Sequence, residues 1–258
     1  MFLDEIADHV REQIALRRDK SPPSLLQERP LFHLPPRGFE RSLRGDSRRI
    51  IAEVKRASPS QGLIREEFDA VKIAREFAAN GASALSVLTE ERYFQGSLLY
   101  LEQIKREVPL PVLRKDFIVD GYQLLEARSF GADAVLFITA LLDLTQLREL
   151  LEQARSLFLD ALVEVHTEEE TECALEAGAR LIGINNRNLK TFEVNLETTE
   201  RLIPMLPREI IVVCESGIEG PDQIRRLESL GVHNFLVGEA LMRAQDPGTK
   251  LRALLAKD

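Results

Sequence analysis

From position 50 onward, apolar runs and amphipathic stretches alternate along the chain. Short runs rich in Val, Ile and Leu recur at 50–54, 84–88, 111–117, 134–138, 161–165, 181–185, 210–216 and 234–238. Such runs, bounded by Gly, Pro or Asn, read as buried strands. The segments between them, among them DAVKIAREFAANGA and LTQLRELLEQARSL, carry apolar residues three and four apart and read as helices. Several close on Gly just before the next run, a normal helix stop. Eight strands, each followed by a helix, predict an α/β fold, a (β/α)8 TIM barrel. A doubly wound open sheet is the alternative, weakened because no GxGxxG follows any strand.

Residues 1–46 precede the first strand. A helix is expected over about 2–18, with Leu3, Ile6, Val10, Ile14 and Leu16 near helical spacing. The stretch that follows, SPPSLLQERPLFHLPPRGFER, is proline-rich and is expected to be neither regular helix nor sheet. The expected organisation is a single barrel domain over 1–258, with 1–46 as an N-terminal extension packing over it. An apolar helix face must be buried somewhere. The mouth at the strands' C-terminal ends is the expected place, and capping of the barrel's bottom is the alternative.

The first strand breaks its own pattern. Glu53 and Lys55 sit two apart, so they share one face of a strand that is otherwise apolar. Charged residues are rarely buried unless paired, so a polar pocket is expected at this strand's end. A solvated edge strand is the plainer reading.

Composition narrows the function. The chain has 258 residues, 44% of them hydrophobic and 29% charged, with a formal net charge of -8. An acidic balance argues against a nucleic-acid partner but leaves room for a small phosphorylated molecule held by a local basic patch. Cys173 and Cys214 form no CxxC pair, and no His/Cys cluster has zinc spacing. No metal site is expected, and a cytoplasmic location is. The N-terminus reads as an amphipathic helix rather than a leader. No apolar run reaches spanning length, so no membrane partner is expected. A monomer and a homodimer both stay open.

In a barrel of this kind the site lies where the strands end. Glu53 and Lys55, Lys115 and Asp116, Glu164, Asn185 to Arg187, Glu215 to Gly217, and Gly238 and Glu239 all fall at such ends. Lys55, Lys115, Glu53, Glu164, Glu215 and Asn185 converging on one mouth suggest acid–base chemistry on a charged substrate. Each has a structural reading as well. Lys115 could pair with Asp116 or Glu164, Glu164 could be an interior ion-pair partner, and Glu215 could hold Lys55. Asn185 could cap a loop, Asn186 could be a turn residue, and the cysteines could be small core residues. His9, His33, His166 and His233 show no ligand spacing, and His166 is left without a role. Gly217 and Gly238, after strands seven and eight, suit backbone approach to phosphate, with Lys55 next door as a cation.

These residues sit in IIAEVKRASPSQG, SVLTEERYFQGS, LRKDFIVD, LVEVHTEEE, GINNRNL, ESGI and LVGEALM. Over its whole length the chain resembles the indole-3-glycerol-phosphate synthase family of tryptophan biosynthesis. The resemblance implies a carboxy-lyase acting on 1-(2-carboxyphenylamino)-1-deoxyribulose 5-phosphate. The products would be indole-3-glycerol phosphate, carbon dioxide and water. It implies Lys115 as general acid, Glu164 as general acid/base, and Lys55 as a phosphate and carboxylate contact with a role in proton transfer. Glu53, Asn185, Glu215 and Ser216 would line the site, and Phe94 and Phe117 would bracket the aromatic ring. Ser58, Arg187, Gly217, Gly238 and Glu239 would surround the phosphate, Glu239 standing where some members have serine. The reaction involves no redox change, so no cofactor is expected. Two other classes remain for test: a Schiff-base aldolase with Lys115 as nucleophile, and a catalytically inactive binding barrel.

Overall fold

The structure, a computed structural model, describes residues 2–256, so Met1, Lys257 and Asp258 at the ends of the expected domain lie outside the described residues. Eight strands form the barrel: β1 Arg49–Val54, β2 Ala84–Leu88, β3 Val112–Lys115, β4 Ala134–Ile138, β5 Asp160–Val165, β6 Leu181–Asn185, β7 Ile211–Glu215 and β8 Asn234–Val237. All neighbouring pairs are parallel, and β1 closes the ring by pairing with both β8, Ile50 opposite Phe235, and β2, Ile51 opposite Ala84. Three expected strands run a residue or two too far, because 111, 116–117, 210, 216 and 238 belong to the connecting turns.

Twelve helices are described: α1 Phe2–Lys20, α2 Pro23–Gln27, α3 Phe39–Ser42, α4 Ala70–Ala79, α5 Leu98–Glu107, α6 Gly121–Ser129, α7 Leu144–Ser156, α8 Glu168–Ala177, α9 Glu197–Leu202, α10 Pro221–Glu228, α11 Glu239–Met242 and α12 Pro247–Leu255. Asp69, Ser97, Asp120, Asp143, Thr167 and Asp246 accept a backbone N–H at the starts of α4, α5, α6, α7, α8 and α12. Each cap satisfies a donor that has no partner within its helix.

The period of two along the strands sorts side chains into two layers. Ile50, Ala52 and Val54 of β1 point outward into the core shared with the helices. Ile51 points inward and meets Leu113, Leu136, Leu162, Leu181, Val213 and Leu236 in an apolar floor. Moving two residues along five of these strands reaches Glu53, Lys115, Glu164, Gly183 and Glu215. Lys55 and Asn185 lie two further on. The polar groups therefore form a layer stacked on an apolar one, and the low polarity beneath strengthens the pairing between them.

The extension runs the length of the barrel. Ile6, Val10 and Ile14 of α1 are buried, as their spacing predicts. Leu16 is instead 54% exposed, since it lies two positions, about 200°, around the helix from Ile14. The side chain of Leu3 lies outside the described residues. At the strands' C-terminal side, His9 meets Tyr93 edge-on and Ile6 reaches the cavity described below. Arg17 then pairs with Glu126 of α6 at 2.9 Å, and the Tyr122 hydroxyl donates to Ser21 O. At the opposite end Phe39 and Leu43 are fully buried under the floor, Arg37 N–H donates to Asp133 and Glu40 N–H to Asp160. The extension thus covers the mouth with its helix and the bottom with α3. The expectation that the proline-rich stretch holds no regular helix is corrected by the structure: α2 and a 3-10 turn, Pro30–His33, each start on proline. Proline at a first helical position loses no bond, because that N–H has no partner anyway.

Candidate active site

The mouth encloses a cavity of about 590 Å³ lined by Glu53, Lys55, Ser58, Phe94, Lys115, Phe117, Glu164, Asn185, Arg187, Glu215, Ser216, Gly217, Gly238 and Glu239. These fourteen positions are the ones expected from the sequence, and the fold gathers them from seven of the eight strand ends. Ile6, Leu189 and Phe192 add apolar surface to the lining.

Lys115 is the hub. Its Nζ lies 3.0 Å from Glu164 Oε2 and 3.3 Å from Glu215 Oε2. Lys55 pairs separately with Glu53 at 2.7 Å. Two of the plainer readings are therefore corrected. Glu215 holds Lys115, not Lys55. Asp116 does not meet Lys115, because consecutive residues on a strand face opposite ways. Asp116 turns outward to the fully buried Arg114, 2.9 Å away, which also pairs with Glu126. That outer network anchors the turn after β3, with the Asp116 carboxylate accepting the N–H of Phe117.

The charges set one another's protonation. Burial alone would lower the Lys115 pKa, but Glu164, Glu215 and Glu53 outweigh it and hold the ammonium charged far past neutrality. Burial would raise that of Glu164, yet Lys115 and then His166 bring it well below the usual carboxylate range. Glu53 is likewise lowered, against burial, by Lys55 and Lys115. Glu215 goes the other way. Burial and the neighbouring Glu164 and Glu53 overcome Lys115 and push it up to about 7, and its buried Oε1 has no hydrogen-bond partner. The mouth thus holds a fixed cation, an ionised carboxylate and a carboxyl that can carry a proton near neutrality.

Asn185 ties the layer together. Its Nδ2 donates to Glu164 Oε1 at 3.0 Å, while its Oδ1 accepts from Ser216 Oγ at 2.9 Å and from Arg187 N–H at 3.0 Å. Asn186 is more than a turn residue. Buried, it donates to the carbonyls of Glu215 and Ser216 and accepts from Thr199, which clamps the end of β7. Cys214 is a core residue, as expected, and burial pushes its thiol up to about 11.

Also in the cavity lining, Arg187 Nη2 lies 3.1 Å from Glu239 Oε2, and Arg243 Nε lies 3.2 Å from Glu239 Oε1. Ser58, Gly217 and Gly238 also line the cavity, Gly238 close against Glu53. Phe94 and Phe117 depart from expectation. Their ring centroids are 6.0 Å apart at 46°, so the rings pack on each other. A ring inserted between them would need about 7 Å, two carbon contacts. They form one aromatic wall rather than two sides of a slot.

Two residues escaped the sequence reading. Gly183 faces inward beside Glu215, and an added Cβ would run into Glu215 Oε1. Its signal was a glycine on the inward row of a strand. His166 pairs with Glu164, and its signal was its position two residues after that glutamate on the same face. Among the described residues no group of three His, Cys, Asp or Glu side chains could hold a metal ion. Among the described residues, too, no helix is long and apolar enough to cross a membrane.

Comparison with solved structures shows the same barrel in a thiamine phosphate pyrophosphorylase of Pyrococcus furiosus, with a TM-score of 0.60 and 22% identity, covering 82% of this chain and 95% of that one. A 3-hexulose-6-phosphate synthase of Salmonella typhimurium gives 0.62 and 16%, covering 80% and 96%. These likenesses speak to fold alone. Sequence carries more. An indole-3-glycerol phosphate synthase of Dehalococcoides mccartyi is 50% identical over 99% of this chain and 100% of its own. One of Carboxydothermus hydrogenoformans is 45% identical over 99% and 100%. The family model described as indole-3-glycerol phosphate synthase matches residues 3–254, from the mouth-covering helix to the last helix of the barrel. With that match spanning every strand end that supplies the cavity, the chain belongs to the indole-3-glycerol phosphate synthase family.

Proposed function

We propose that the cavity converts 1-(2-carboxyphenylamino)-1-deoxyribulose 5-phosphate to indole-3-glycerol phosphate, carbon dioxide and water, as a carboxy-lyase of tryptophan biosynthesis. The observation that carries the reading is the Lys115 ammonium held among Glu164, Glu215 and Glu53 in a cavity whose lining also includes Arg187 and Arg243. The aryl carbon that bears the carboxylate attacks the ribulose C2 carbonyl. Lys115 stabilises the charge growing on that oxygen and then protonates it, since an alkoxide is more basic than an amine. Loss of carbon dioxide returns its bonding electrons to the ring and restores aromaticity. The remaining hydroxyl leaves as water with a proton from Lys55. Glu164, kept ionised, takes the proton from the carbon beside nitrogen. The carboxylate leaves as neutral carbon dioxide, so each turnover draws one proton from solvent.

The other residues fall into place around these steps. Glu53 holds Lys55, Glu215 holds Lys115, and Asn185 with Ser216 orients Glu164. Phe94 and Phe117 give the aryl ring a wall, and Ser58, Arg187, Gly217, Gly238 and Glu239 surround the phosphate. A Schiff-base aldolase is disfavoured, because its lysine must be neutral to attack a carbonyl, and three carboxylates keep Lys115 charged. An inactive barrel is disfavoured by the complete set of acid–base groups. Two free cysteines fit a cytoplasmic location. Appearance of indole fluorescence on mixing the chain with the carboxyphenylamino sugar phosphate tests the proposal. A chain that forms no indole, or that is trapped covalently on Lys115 by borohydride and a carbonyl substrate, refutes it.

A further inference from the structure

His166 continues the inward row of Leu162 and Glu164 just past the end of β5 at Val165. It is not among the residues that line the cavity; it stands behind Glu164, its side chain 13% exposed. Its Nε2 lies 3.3 Å from Glu164 Oε1, close enough for an ion pair although not aligned as a hydrogen bond. Its other nitrogen, Nδ1, lies 3.0 Å from Glu170 Oε2, and its backbone N–H donates to that same oxygen at 2.7 Å. Glu170 is itself fixed, because its N–H in the first turn of α8 donates to the capping hydroxyl of Thr167. The imidazole is thus gripped on one side by a helix start and faces a carboxylate of the site on the other.

We infer that His166 is a positioning residue: Glu170 fixes its ring, and the imidazolium holds Glu164 ionised and turned toward the cavity. The inference rests on the role proposed for Glu164. The charged groups facing His166 are Glu164 on its own strand and Glu170 on α8, and Lys115 from β3 occupies the far oxygen of Glu164. Burial would lower the imidazole's pKa, but the two carboxylates raise it to about 10, so both ring nitrogens carry protons across the neutral range. A carboxylate held by two cations and one amide donor, Asn185, has little rotational freedom left. It also stays a base at pH values where a free glutamate would begin to take up a proton.

The test compares the full chain with its His166→Ala and Glu170→Gln variants by indole formation across pH, with thermal unfolding alongside. His166→Ala is expected to lower kcat about tenfold or more with KM within about twofold, because alignment is lost and substrate contact is not. The acid limb of its kcat profile is expected about one pH unit higher, since Glu164 loses a cation that lowers its pKa. Glu170→Gln, which does not touch Glu164, is expected to move the limb the same way by less. It keeps the test open should the first variant not fold. An acid limb that stays at the wild-type position in the folded variants, whatever their melting temperature, overturns the inference and leaves His166 a structural residue. A wild-type chain without turnover overturns the functional reading instead.

Discussion

The Lys115 ammonium passes its neighbour Asp116 and pairs with Glu164 on β5, 3.0 Å away across the barrel mouth. Replacement by Ala would remove a cation that Glu164 and Glu215 share, and with it the donor aimed at the developing oxyanion. The kcat of Lys115→Ala is expected to fall by about two to three orders of magnitude with the far-ultraviolet circular dichroism unchanged. Its melting temperature should drop further near pH 8 than near pH 5, because Glu215, ionised there, is then a buried carboxylate without its cation, while Glu164 keeps His166 and Asn185. Retention of more than about a tenth of kcat, a loss below ~1.4 kcal/mol, would end the assignment.

Glu215 sets a pH dependence of stability. Its folded-state pKa is raised from 4.5 to about 7. Folding therefore favours the protonated form, and stability is fully present below the unfolded value and declines as pH rises through about 7. Glu215→Gln removes the ionisation. The variant is expected to melt higher than wild type near pH 8 and to lose that advantage near pH 5, while kcat falls at both. Calorimetric scans at the two pH values check it; an advantage that is equal at both would mean that Glu215 ionises normally.

Gly183→Ala probes the same carboxylate from the next strand. The new methyl occupies the place of Glu215 Oε1, so the carboxylate must turn away from Lys115. A kcat about tenfold lower with a native melting profile is expected. A wild-type kcat would show that the contact of Glu215 with Lys115 does not matter to turnover.

The extension separates into two deletions. Removing residues through Lys20 takes away α1 and Ile6 at the cavity, which should raise KM, lower kcat and leave a folded barrel. Removing residues through Arg44 also strips Phe39 and Leu43 from the bottom and Arg37 from Asp133. Loss of that buried Phe alone costs about 3–5 kcal/mol, so the longer deletion is expected to unfold at much lower temperature. Equal melting temperatures for the two would place the weight of the extension at the mouth only.

Glu239 occupies both Arg187 and Arg243. A phosphate dianion bound beside these arginines would meet a carboxylate competing for the same guanidinium groups. Glu239→Ser is expected to tighten inorganic phosphate binding several-fold in calorimetry, about 1 kcal/mol. Weaker binding in the variant would mean that Glu239 orders the two arginines rather than competing for them.

Much of this was legible in the chain. Period-two alternation fixes which side of a strand each residue faces, so Ile51, Glu53 and Lys55 were readable as one inward row, and the polar layer over the apolar floor follows from it. The eightfold alternation of strand and helix is local information too, and it carries the barrel. What lay beyond the sequence is who meets whom across the mouth. Asp116, next to Lys115 in the chain, faces away from it, while Glu215, a hundred positions on, lies 3.3 Å from it. Phe94 and Phe117 touch each other instead of flanking a gap, His166 reaches back to Glu164, and the extension spans both ends of the barrel. Facing is a property of the backbone within a strand. Distance across the barrel depends on strand stagger and on how side chains from separate strands pack, which only the closed tertiary structure decides.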